Sequence, residues 1–160
     1  MSSDDELSVL DYLRRHVAGT LSPDDRTFLN YPTAISRLLG FEVVAVDHGT
    51  ATLRVVTDPA LHSNQQGTVH GGFIGELADA AIGTARSTTV SRGESFTSID
   101  LHTTFLRPMF AGTLTARAYP THVGSTVQHY ACEITRDDGK IVATATSTVL
   151  TLRGEKAVGR

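Results

Sequence analysis

Apolar and polar positions divide the chain into a helical beginning, one helix that is apolar on every side, and a series of strand-like runs. Leu7, Leu10, Leu13 and Val17 lie at helical spacing, which predicts a helix over residues 4 to 18 with Asp4 or Asp5 as its N-cap. Leu21 to Tyr31 is polar, and Ser22-Pro23-Asp24-Asp25 within it predicts a turn or a short helix start. Pro32 to Leu39 predicts one more short helix, stopped by Gly40. The period then changes. Phe41 to Asp47 and Thr50 to Thr57 are β-branched-rich runs on either side of His48-Gly49, a hairpin pattern ended by Asp58-Pro59.

Phe73, Ile74, Leu77, Ala78, Ala80, Ala81, Ile82 and Ala85 fall all around a helical wheel, so the helix they predict, ending near residues 87 to 90, is buried. Its small residues, among them Gly75 and Gly83, let neighbouring backbone approach closely, which suits a helix wrapped by a sheet. Ser91-Arg92-Gly93-Glu94 predicts a turn, followed by strand-like runs over Phe96 to Leu106, Gly112 to Val123 and Thr126 to Thr135. Asp137-Asp138-Gly139-Lys140 predicts a tight hairpin into Ile141 to Leu152, whose alternation is that of a half-buried antiparallel strand. Gly154 to Arg160 is expected to fray. One buried helix with about six strands predicts an α+β architecture, a curved antiparallel sheet rolled around the helix with an N-terminal helical segment appended. The open edges of such a roll need cover, which predicts edge-to-edge pairing of two copies.

Composition narrows the picture mainly by exclusion. The length of 160 residues fits one domain, and a net charge of -3 from 14 basic and 17 acidic residues, mixed along the chain, gives no footprint for nucleic acid or an anionic membrane. The acidic start, Met1 to Glu6, is unlike a secretory signal, and no apolar run approaches the roughly 18 residues of a membrane span, so a cytoplasmic protein is expected. The single cysteine, Cys132, excludes an internal disulfide and reads as a small buried hydrophobe. The seven histidines form no grouping at metal-ligand spacing, and no metal or cofactor is expected.

The chemistry concentrates where the loop Asn64-Gln65-Gln66-Gly67-Thr68-Val69-His70-Gly71-Gly72 runs into the apolar helix. Gly71 and Gly72 leave backbone N–H groups uncovered at the positive end of the helix dipole, where they suit an anion or a polarised carbonyl oxygen. Glu76 and Asp79 are carboxylates on an otherwise apolar helix. Burying them is costly unless they are paired or face a cavity, so both are functional candidates; the alternative for Asp79 is a buried structural acid with a satisfied partner, and for Glu76 a helix-surface or dimer-contact acid. His70 reads either as a hydrogen-bonder that fixes the helix entry or as a general base.

Asn64, Gly67, His70-Gly71-Gly72 and Leu77-Ala78-Asp79 resemble the signature of hotdog-fold acyl-CoA thioesterases of the phenylacetate-degradation type, a branch that includes 4-hydroxybenzoyl-CoA thioesterase. Phe105-Leu106-Arg107-Pro108, Phe110-Ala111-Gly112, and His122 through Thr126 leading to Arg136-Asp137-Asp138-Gly139 are similar to it as well. The resemblance implies an N-terminal extension over 1–37, a hotdog thioesterase domain over 38–153 and a tail over 154–160. It implies that Asp79 is the catalytic carboxylate, that the Gly71 N–H polarises the thioester carbonyl, that Asn64 lines the pocket, and that Ser98 helps hold the water. It further implies that Ser125 and Thr126 lie near coenzyme A and that Arg107 and Arg153 contact its phosphates. Read from the residues alone, the arginines fit ordinary surface charges, Ser125-Thr126 a strand start, and Asn64 a turn.

Eight residues of helix at about 1.5 Å each put Gly71 and Asp79 roughly 12 Å apart, too far to act on one carbonyl from one chain. Two antiparallel helices across a two-fold axis would join the amide of one copy to the carboxylate of the other, which predicts a composite site in a dimer or dimer of dimers. The expected activity is hydrolysis of an acyl-CoA, aromatic or medium-chain, to free acid and coenzyme A. An enoyl-CoA hydratase or dehydratase on the same fold and a non-catalytic acyl-CoA-binding module are the alternatives.

Overall fold

The computed structural model describes residues 6–158. Helix α1 runs Val9–Ala18, with the Ser8 side chain accepting from the Asp11 N–H and Gly19, at φ 68°, closing it. The helix therefore starts later than its leucine spacing predicts, because Ser8 supplies the cap; Asp4 and Asp5 lie outside the described residues. Helix α2, Ala34–Leu39, is stopped by Gly40 as the sequence predicts but starts after Pro32, because Thr33 supplies its cap. Strands β1 (Glu42–Asp47) and β2 (Thr50–Thr57) form the first hairpin, with Gly49 at φ 77° in its turn. Asp58-Pro59 does more than end it: the Asp58 side chain accepts from the Ala60 N–H and starts a one-turn helix α3, Pro59–His62.

Helix α4 spans Gly71–Ser87. Strands β3 (Glu94–Ser98), β4 (His102–Phe105), β5 (Gly112–Val123), β6 (Val127–Arg136) and β7 (Ile141–Arg153) follow. The sheet order is β1-β2-β5-β6-β7-β3, antiparallel throughout, with β4 also pairing β7. Ile74, Leu77, Ala78, Ala81, Ile82 and Ala85 of α4 are buried against Leu53, Leu114, Ile134, Val142 and other inward residues of the sheet. Each large side chain so buried stabilises the roll by about 2 kcal/mol. This is the sheet-around-helix arrangement that the sequence predicts.

Two expectations fail locally. The run Phe96 to Leu106 is two strands, because Ser98 pairs with Val149 and His102 with Thr146, leaving three residues opposite two. Asp100 makes this bulge: its carboxylate accepts the Thr148 N–H at 2.7 Å and its carbonyl accepts the Ser147 hydroxyl at 2.7 Å. Those Thr148 hydrogen bonds hold the Asp100 carboxyl below the usual range. The tail is also more ordered than expected, since Gly154–Ala157 forms a 3-10 turn; residues 159–160 lie outside the described residues. Cys132 is buried in β6 and its thiol is pushed up to about 12 by desolvation, in keeping with a packing role. Among the described residues no helix is long and apolar enough to cross a membrane.

Helix α4 is not equally buried all round. Gly75, Glu76, Asp79, Ala80 and Gly83 make a half-buried stripe along it, and this stripe faces the β3–β4 edge of the sheet. The edge is apolar and open: Ile99, Leu101, Phe105, Leu106 and Phe110 are 57, 38, 54, 52 and 59% exposed.

Candidate active site

The loop before α4 is built by its own polar side chains. Asn64 Oδ1 accepts the N–H groups of Gln66 and Thr68 at 2.9 and 3.2 Å, which tightens the turn through Gly67 (φ 76°). The His70 N–H donates to the His62 carbonyl, and His70 Nδ1 accepts the Gly72 N–H at 2.9 Å, capping the helix. His70 is thus the hydrogen-bonder that fixes the helix entry, with its proton on Nε2 when neutral. The Gly72 amide is consumed by this cap, while Phe73 and Ile74 N–H donate to the His70 carbonyl. Among the described residues no acceptor takes the Gly71 N–H, which remains the open donor of the helix start.

Gly71 lies under the ring of Phe105: a Cβ there would stand 2.9 Å from Phe105 Cζ. Asn64, Gly71, Phe105, Arg107 and Met109 are among the residues lining a cavity of about 380 Å³ beside that amide. Arg107 stands at its wall, but its guanidinium already donates to the Ile141 carbonyl at 2.7 Å. Phe105 stands in the sequence only as part of the Phe105-Leu106-Arg107-Pro108 run, and nothing in its residue type signals the contact with Gly71.

Glu76 and Asp79 share a second cavity, of about 270 Å³, with Ala80, Gly83 and Phe96. Desolvation raises the Asp79 carboxyl above its ordinary range; desolvation first, and then the Asp79 charge, raise Glu76. Neither acid has a hydrogen-bond or salt-bridge partner among the described residues, so neither is a satisfied structural acid within one chain. The remaining wall comes from Leu29, Asn30, Tyr31, Thr33, Ile35 and Ser36, a stretch to which the sequence analysis attached no functional pattern.

The other candidates are dispersed. Ser98 lies on β3, two residues after Phe96 and on the same face, exposed at the open edge. Ser125 and Thr126 sit exposed in the β5–β6 hairpin, where the Thr126 carbonyl accepts the Thr151 N–H at 2.8 Å. Arg153, at the far end of β7, is paired with Glu94 at 2.7 Å. Among the described residues no group of three or more His, Cys, Asp or Glu is placed to hold a metal.

The arrangement is thus an unpaired amide at a helix start, an unpaired carboxylate two turns on, and an open apolar edge beside both. Residues 66–143 match the thioesterase superfamily. The solved structure of E. coli PaaI, from the phenylacetic acid degradation operon, is 30% identical, covers 77% of this chain and 87% of its own, and superposes with a TM-score of 0.70. The chain belongs to the thioesterase superfamily. A phenylacetic acid degradation-related protein of Ralstonia eutropha JMP134 is 32% identical over 87% of this chain and 98% of its own, with a TM-score of 0.72. A 1,4-dihydroxy-2-naphthoyl-CoA hydrolase of Listeria monocytogenes is 27% identical over 76% of this chain and 98% of its own. As a member of the superfamily, the chain is a hotdog-fold thioester hydrolase.

Proposed function

We propose that the protein hydrolyses an acyl-CoA thioester, aromatic or medium-chain, at a site shared by two copies of the chain. The observation that carries this reading is that the Gly71 amide and the Asp79 carboxylate, each without a partner among the described residues, open into different cavities of one chain.

The fold supports a way of joining them. Along the stripe of α4, Phe105 lies on Gly71, Thr103 lies 3.8 Å from the Cβ position of Gly75, and Phe96 lines the Asp79 cavity, so the edge runs antiparallel to the helix. Pairing that edge antiparallel with its own copy, about a two-fold near the Asp100 bulge, carries the Phe105 end of each copy toward the Phe96 end of the other. Gly71 of one copy then approaches Asp79 and Ser98 of the next, and the exposed Ile99, Leu101 and Phe105 become buried.

In the reaction so assembled, the thioester oxygen accepts the Gly71 N–H, strengthened by the α4 dipole. Asp79 takes a proton from a water held near Ser98, and the water oxygen attacks the carbonyl carbon. The tetrahedral oxyanion collapses with cleavage of the carbon–sulfur bond, and the sulfur leaves as the thiol after receiving the proton from Asp79. Asn64 shapes the loop; Ser125 and Thr126 offer exposed hydroxyls to the coenzyme A moiety, and Arg107 and Arg153 keep guanidinium N–H groups beyond those given to Ile141 and Glu94. A hydratase would need a histidine free to act as a base beside the carboxylate; His70 Nδ1 is taken up by its cap, and its Nε2 already carries the proton.

A panel of acyl-CoA substrates with free-thiol detection tests the activity. Phenylacetyl-, hydroxybenzoyl- or medium-chain acyl-CoA is expected to release thiol, while crotonyl-CoA is not hydrated; hydration without thiol release would contradict the proposal. Placing a charge on the open edge with Leu101→Asp is expected to convert the dimer to a monomer in light scattering and to abolish turnover with it.

A further inference from the structure

The cavity that holds Asp79 does not end at the wrapped helix but against the N-terminal segment. Tyr31, Thr33, Ser36 and Thr84 line it and also line a second, larger cavity of about 550 Å³ on their other side, between α1, α2, β1 and α4. These four residues are therefore a partition. Tyr31 is fastened in it: its hydroxyl meets Ser87 Oγ at 2.5 Å, and because Ser87 gives its own proton to the Thr84 carbonyl at 2.7 Å, Tyr31 is the donor. Thr84 stands five residues beyond Asp79 on α4, about 7.5 Å along the axis. The space between is walled by Leu29, Ile35, Ala80, Gly83 and Phe96, which present mainly apolar surface.

Resting on the acyl-CoA thioesterase reading, we propose that the acyl group extends from Asp79 toward Tyr31, and that Tyr31 sets the longest acyl group the enzyme accepts. The limit lies mainly in residues 29–36, outside the stretch 66–143 that matches the superfamily, with Thr84 of α4 completing it. A preformed apolar slot favours acyl groups that fill it and stops those that would have to displace the pinned ring. Behind the ring, Leu13, Val17, Phe41 and Val43 offer more apolar surface that a longer chain could use.

Two substitutions of opposite sign test the proposal on the full chain. Tyr31→Ala joins the cavities, and each methylene that enters the opened space is expected to raise kcat/KM about fourfold, moving the optimum of a straight-chain acyl-CoA series toward longer substrates. Gly83→Leu fills the slot from the helix side. Nothing lies within 4 Å of the Cβ position there, and leucine suits a helix better than glycine, so this variant folds and is expected to move the optimum toward shorter substrates. If Tyr31→Ala does not fold, Gly83→Leu decides alone. A wild type that releases thiol, with variants that keep its chain-length profile, overturns the role of the partition and leaves the thioesterase reading intact. A wild type that releases thiol from no member of the aliphatic or aromatic series overturns both.

Discussion

Asp79→Asn is expected to lower kcat/KM about 10²–10⁴-fold, the usual contribution of a positioned general base, while raising the melting temperature by a few degrees. The two effects have one cause. Burial on the α4 stripe, with no partner among the described residues, makes the charged carboxylate costly, and this holds its folded-state pKa above the unfolded value. Such a group contributes stability that is fully present below the unfolded pKa, about 3.9, and is lost as pH rises through the raised folded value. At neutral pH the ionised acid is a burden on the fold, and the neutral amide relieves it. Catalysis requires the ionised form, so the wild-type acid limb of kcat/KM should lie above the usual carboxylate range, which a pH–rate profile checks. A variant with unchanged turnover would remove Asp79 from the mechanism.

Gly71→Ala is expected to lower kcat about 10²-fold with little loss of stability, since a misplacement of about 1 Å at a reacting group has effects of that order. The new methyl would stand 2.9 Å from Phe105 Cζ and 3.3 Å from both Cε atoms, closer than packing allows. Phe105 is 54% exposed in the single chain and can yield there, so the chain folds, but in the paired edge the amide and the ring cannot both keep their places. Adding Phe105→Ala to Gly71→Ala should recover part of the loss, giving a favourable coupling in a double-mutant cycle. No coupling would mean that Gly71 acts through something other than this contact.

Much of the fold was legible because burial writes a period into the chain. The all-round apolar run over 73–85 and the alternation over 141–152 each have one compact solution, and they set the wrapped helix and the sheet beside it. The break at 99–101 was not legible, because Asp100 reads as an ordinary polar position until Thr148 is seen to use its carboxylate as a ladder partner. At the candidate site, Gly71 and Asp79 stood out because a bare helix start and a charge on an apolar helix are both physically exceptional. His70 left two readings open, and the distance from its Nδ1 to the Gly72 amide selects the cap. Tyr31 and its neighbours gave no signal, since they reach Asp79 only through the folded path of the N-terminal segment.

Co-expression of Asp79→Asn and Gly71→Ala chains carrying different tags tests the shared site most directly. A mixed dimer holds one site with both native groups and one with neither, so with half the dimers mixed, the preparation should regain about a quarter of wild-type activity. The purified mixed dimer should regain about half. A mixed dimer as inactive as its two parents would contradict the account, because the amide and the acid would then belong to the same chain's site.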